Sequence, residues 1–73
     1  MQTNMNLLRG KIREHGLTQG DVATKLGMDS STFSRKISSD GLKFTVGEMH
    51  SIADVLHLSG EECRDIFLPE NSQ

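Results

Sequence analysis

TQGDVATKLGMDSSTFSRKI, residues 18–37, is the segment whose punctuation determines how the rest of the chain must be arranged. Thr18 followed three residues later by Asp21 is a helix N-cap with an acid in the first turn, and Val22, Ala23 and Leu26 form an apolar face behind it. The spacing predicts a helix of about two turns, ended by Gly27, which reaches positive φ without a Cβ penalty. Met28 fills the connection, Asp29 is placed to cap a second helix, and Phe33 and Ile37, four apart, give that helix an apolar side. Its other face is polar: Ser30, Ser31, Ser34, Arg35 and Lys36. Two short helices joined across Gly27, Met28 and Asp29, with small Ala23 permitting close approach, are expected to pack as a helix-turn-helix pair.

Working outward, Leu8 and Ile12 mark one face of a helix from about Met5 to His15, Gly16 ends it, and Leu17 is expected to pack back beneath it. Ser38, Ser39, Asp40 and Gly41 read as a turn, followed by Leu42 and Phe44 as loop residues closing over the core. Thr45 with Glu48 is a capping box, and Met49, Ile52, Ala53 and Leu56 give an i, i+3, i+4, i+7 stripe. Ser59 with Glu62 makes another box, opening a short helix with Cys63, Ile66 and Phe67 on one side and Pro69 as its stop. Strand patterning is weak, with FTV (44–46) and DIFL (65–68) the only short stretches that suit an extended chain. The expectation is an all-α, compact five-helix single domain over 1–73, with residues 1–4 and 69–73 flexible.

Seventy-three residues with 34% apolar content bound a single small core. One cysteine excludes an internal disulfide framework, and the best reading of Cys63 is a small buried hydrophobe. Neither a signal-type apolar run nor a stretch of about 20 apolar residues occurs, which points to a cytoplasmic protein without a membrane partner. His50 and His57 lie about 10 Å apart along a helix axis, too far to share one metal ion, and read as surface residues. The sequence carries no triad spacing, no phosphate-cradling glycine loop and no partner signature for the lone cysteine. A non-enzyme with no cofactor, metal or small-molecule ligand is expected.

Ten acidic residues against eight basic ones, and a pI near 5.8, run against a nucleic-acid partner. The distribution runs the other way. Residues 1–45 hold seven basic and four acidic side chains, a net of +3, whereas residues 46–73 hold one basic and six acidic, a net of −5. Phosphate affinity depends on where charge sits, and a basic half carrying residues 18–37 is compatible with groove binding of modest affinity that falls quickly as salt rises.

TQxxVAxxLGM followed by DSSTFSRKI resembles the helix-turn-helix of phage Cro and repressor proteins, the lambda-repressor-like or XRE family. FTVGEMHSIADVLHLSGEECRDIF is similar to the F-T-x-x-E-I-x-x-I-A-x-x-L segment of small Gram-positive phage repressor-like proteins, and together the likeness covers residues 6 to 68. The resemblance implies a sequence-specific transcriptional regulator of double-stranded DNA, with residues 30–37 as a recognition helix in the major groove. By position it implies base-facing roles for Ser30, Ser31, Ser34 and Arg35, and phosphate-facing roles for Thr18, Gln19, Lys25, Lys36 and Lys43. Gln19 matches a position used both for phosphate contact and to brace a recognition-helix side chain. Lys36 departs from the family, which often has an apolar residue there, and Ser38–Gly41 replaces its usual Asn-Gly. Of the base-facing set, Arg35 is the best specificity residue, since arginine grips guanine O6 and N7 together while serine discriminates poorly.

One recognition helix covers only a few base pairs, which implies a homodimer on a palindromic operator. Ile66, Phe67 and Leu68, as exposed apolar residues of the last helix and its exit, are the expected dimer contacts. The competing expectation is a protein-interaction module, an antitoxin or antirepressor-like domain whose acidic half binds a protein, with weak or no DNA binding.

Overall fold

Asn4 starts the first helix by accepting the Leu7 amide on its side chain at 3.0 Å, and the chain then makes five helices in order. The structure, a computed structural model, describes residues 3–41 and 43–67. The helices are α1 (Met5–Glu14), α2 (Gln19–Lys25), α3 (Ser30–Ser38), α4 (Val46–Leu56) and α5 (Gly60–Phe67), with no strand among the described residues. FTV spans a loop and the first residue of α4, and Asp65, Ile66 and Phe67 are helical.

Three of the five N-termini are closed by reciprocal boxes. Thr18 with Asp21 and Thr45 with Glu48 each exchange a side-chain and a backbone hydrogen bond. At α5 the Glu62 amide donates to the Ser59 hydroxyl at 3.1 Å, while the Ser59 amide donates to the Glu62 carboxylate at 2.9 Å. Each box satisfies two amides that the first helical turn would otherwise leave unpaired. Asp29 stands at the N-cap of α3 in extended backbone but makes no side-chain cap bond, a departure from the cap expected of it. Its charge near the exposed amides of α3 is still favourable electrostatically.

Gly16 and Gly27 turn the chain at φ 71° and 72°, ending α1 and α2 as their spacing predicts. After α3, Asp40 and Gly41 are both left-handed, at φ 63° and 71°. The Gly41 amide donates back to the Lys36 carbonyl at 2.9 Å, which closes the helix end. Gly41 is buried against Met5: a Cβ there would stand 2.8 Å from the Met5 Cε.

The core gathers Met5, Leu8 and Ile12 from α1, Val22 and Ala23 from α2, Phe33 and Ile37 from α3, Phe44 from the loop, Ile52 and Leu56 from α4, and Ile66 and Phe67 from α5. Leu17, Leu26, Met28 and Met49 pack against it, partly buried. Phe44 does close over the core, with its ring 5.6 Å from that of Phe33 and 6.4 Å from that of Phe67, the latter edge-on. Full burial of one such side chain is worth about 1.5–3 kcal/mol.

The ends of the described chain meet. The Asn4 amide donates to the Ile66 carbonyl at 2.6 Å, and the Thr3 hydroxyl donates to the Asp40 carbonyl. Thr3 and Asn4, within the stretch expected to be flexible, are therefore hydrogen-bonded to the body. Residues 1–2, Leu42, Leu68 and the tail from Pro69 lie outside the described residues.

Candidate nucleic-acid interface

α2 and α3 are joined by Leu26–Asp29 and pack closely on one another through Val22, Ala23 and Phe33, all fully buried. With Phe33 and Ile37 turned inward, the 3.6-residue period leaves Ser30, Ser31, Ser34 and Arg35 exposed on the opposite side of α3. The start of α2 lies alongside this row. A Cβ at Gly20 would stand 3.8 Å from the Ser30 Cβ, and the Ser34 hydroxyl donates to the Gln19 Oε1 at 3.0 Å.

The base-facing and phosphate-facing sets thus share one side of the molecule only in part. Thr18 is exposed, but its hydroxyl oxygen already accepts the Asp21 amide at 3.0 Å. The Thr18 amide, donating to the Asp21 carboxylate, holds that carboxyl below its ordinary value. Lys25 and Lys43 are exposed and, with Arg35, make no ion pair among the described residues.

Lys36 differs from its expected phosphate-facing role. Its ammonium donates to the Glu48 carboxylate at 2.9 Å and to the Lys43 carbonyl at 3.3 Å, and it lies 5.9 Å from the centre of the Phe44 ring. The stem covers apolar surface while the charge is neutralised by a carboxylate that also caps α4. The Lys36 ammonium, followed by the Thr45 amide, holds the Glu48 carboxyl below its ordinary value.

Beside Arg35 the end of α3 and the following loop enclose an open cleft of about 460 Å³, lined by Thr32, Arg35, Lys36, Ser38, Ser39 and Lys43. Thr32 carries no signal in the sequence. Ser38 and Ser39 lie in or just past the last turn, where the serines read only as turn formers.

The expected dimer contacts require correction. Ile66 is fully buried and Phe67 nearly so, because the face of α5 that bears them packs on α1 and the Phe44 loop, and neither is presented as exposed apolar surface. Leu68 lies outside the described residues. The exposed apolar surface is instead in the neighbouring groove between α4 and α5, of about 540 Å³, lined by Val46, Met49, His50, Ala53, Gly60, Cys63 and Arg64, with the nearly buried Phe67 also bordering it. Val46 is 68% exposed, the large hydrophobic residue that stands out on the described surface. As the first residue of α4 it stands three and seven positions before Met49 and Ala53 and continues their edge of the apolar stripe.

Cys63 is partly exposed in this groove rather than fully buried, and burial, then the neighbouring Glu62 charge, pushes its thiol pKa up. A raised pKa disfavours the nucleophilic thiolate. Among the described residues no three His, Cys, Asp or Glu side chains form a metal-binding group, and no helix is long and apolar enough to cross a membrane. Comparison with protein-family models, curated proteins and solved structures finds no match.

Proposed function

We propose that this chain is a non-catalytic, sequence-specific DNA-binding regulator that lays α3 in the major groove. The Ser34–Gln19 hydrogen bond carries the reading, because it ties an exposed polar residue of α3 to the first residue of α2 beside it. A groove-reading helix needs an outward face without bulky apolar groups, and Ser30, Ser31, Ser34 and Arg35 meet that requirement. Arg35 is the specificity residue, free of intramolecular ion pairs among the described residues and able to grip guanine bidentately. Lys25, Lys43 and the Gln19 amide contact phosphate. Lys36 supports the loop that carries Lys43.

Two copies bind a two-fold operator, each supplying one α3, since three serines and one arginine specify too few base pairs alone. The second copy docks on the α4–α5 groove, where Val46 leaves apolar surface uncovered.

The test is selection of bound duplexes from random DNA, followed by titration at fixed salt. Arg35→Ala is expected to weaken binding to the selected site by about 1–3 kcal/mol and relax one position to any base. Ser31→Ala is expected to have a smaller effect. If both variants bind as wild type does, or if no duplex is enriched while a protein co-purifies, the protein-interaction reading replaces this one.

A further inference from the structure

Lys36 holds the chain that leaves α3 at two points. Its carbonyl accepts the Gly41 amide at 2.9 Å, and its ammonium donates to the Lys43 carbonyl at 3.3 Å. The ammonium is fixed in turn by the Glu48 Oε1 at 2.9 Å, an atom that also accepts the Thr45 amide at 2.9 Å. One carboxylate thus ties the start of α4 to the end of α3, with the Lys43 backbone held between them. Both side chains of the pair are mostly covered, at 20% exposure for Lys36 and 26% for Glu48, so salt screens their attraction less than it would a surface pair. Lys43 is the opposite case: its side chain is exposed, makes no ion pair among the described residues, and borders the same cleft as Arg35.

Resting on the DNA-binding reading above, we infer that Glu48, an acid outside the helix-turn-helix pair, strengthens DNA binding as a positioning residue: it fixes Lys36, and Lys36 fixes the backbone from which Lys43 reaches phosphate. Charge alone gives the opposite sign. A carboxylate beside a phosphate-binding cleft repels DNA, and its loss tightens binding. Here the Glu48 charge is matched by Lys36, so the pair presents little net field, while the backbone it holds brings an unpaired cation forward. Lys36 contributes by the same route, through placement of Lys43 and not through a phosphate contact of its own.

The experiment measures affinity across a salt series for the duplex that wild type selects from random DNA. The variants are Glu48→Gln, Lys36→Met and Lys43→Ala, singly and in pairs, each checked for wild-type helical content. Glutamine keeps an oxygen for the Thr45 amide, and methionine keeps an apolar stem beside Phe44, so both remove the ion pair and spare the fold. Lys43→Ala is expected to weaken binding about three- to tenfold and to flatten the logarithmic salt slope by about one. Glu48→Gln is expected to weaken binding about threefold, although it removes an acid, and Lys36→Met about as much as Lys43→Ala. In a Lys43→Ala background neither has a further effect, because the contact that they position is gone; in a Lys25→Ala background each keeps its full effect. Unchanged or tighter binding by Glu48→Gln overturns the inference, as does wild-type affinity in Lys43→Ala. A Lys36→Met loss that adds in full to that of Lys43→Ala also overturns it, by making Lys36 a phosphate contact itself. Each of these results leaves the DNA-binding reading standing, whereas failure of the wild-type chain to bind any duplex removes both.

Discussion

His57 shows what a single side chain can conceal. It ends α4 in the left-handed region at φ 53°, a conformation that glycine adopts freely and other residues seldom do. The sequence signalled the ends of α1 and α2 with Gly16 and Gly27, but nothing in His57-Leu58 announced this one. The fold brings its ring to 6.3 Å from that of His15, at the end of α1, a proximity invisible at a separation of 42 positions. His57→Gly is expected to stabilise the protein by about 1 kcal/mol through relief of backbone strain. For a domain of this size that is a rise of about 4–8 °C in the thermal midpoint, readable by circular dichroism. An unchanged or lowered midpoint would mean that the ring contributes more than the strain costs. Lys36 was equally illegible: its position on the polar face of α3 suggested phosphate, whereas its carboxylate partner lies twelve residues onward.

Elements were far more readable than side-chain partners, because caps and apolar spacing are local. The five helices fall where the Ser, Thr, Asp and Gly punctuation and the 3.6-residue stripes set them, except that the Asn4 cap of α1 carried no such reading, while contacts between helices depend on chain reversals that no local pattern encodes. The boxes at α2, α4 and α5 give these ends a common dependence on acid. Asp21, Glu48 and Glu62 are all held below their ordinary values of 3.8, 4.5 and 4.5. The strongest causes are the Thr18 amide for Asp21, the Lys36 ammonium for Glu48 and the Lys11 ammonium for Glu62, the last at 2.8 Å and linking α1 to α5. A carboxyl with a depressed pKa in the folded state stabilises the protein above its unfolded-state pKa, and that contribution is lost as pH falls through the folded value. The thermal midpoint is therefore expected to be level near neutrality and to decline as pH drops below about 4.5. Glu48→Gln and Glu62→Gln each start lower and decline less steeply. Parallel curves for wild type and both variants would assign the acid sensitivity to other groups.

Charge distribution and assembly are properties of the entire molecule. Net −2 divides along the sequence into a basic stretch containing α1, α2 and α3 and an acidic one containing α4 and α5, and the Lys11–Glu62 and Lys36–Glu48 ion pairs cross that division. The polar row on α3 could be named from sequence because it is the complement of a short apolar stripe. The exposed apolar groove between α4 and α5 could not, because Ile66 and Phe67 look identical in sequence whether they cover a core or face outward. If the second copy docks on the α4–α5 groove, Val46→Asp is expected to give a monomer in sedimentation equilibrium and to weaken operator binding by about tenfold or more, with helical content unchanged. A variant that remains dimeric excludes the groove as the interface. The placement of Ile66 and Phe67 also has a consequence in time. They complete a core begun by Met5 and Leu8, and the Asn4 amide closes on the Ile66 carbonyl. Until residue 67 has left the ribosomal exit tunnel, a nascent chain lacks the last two members of this core and cannot close it.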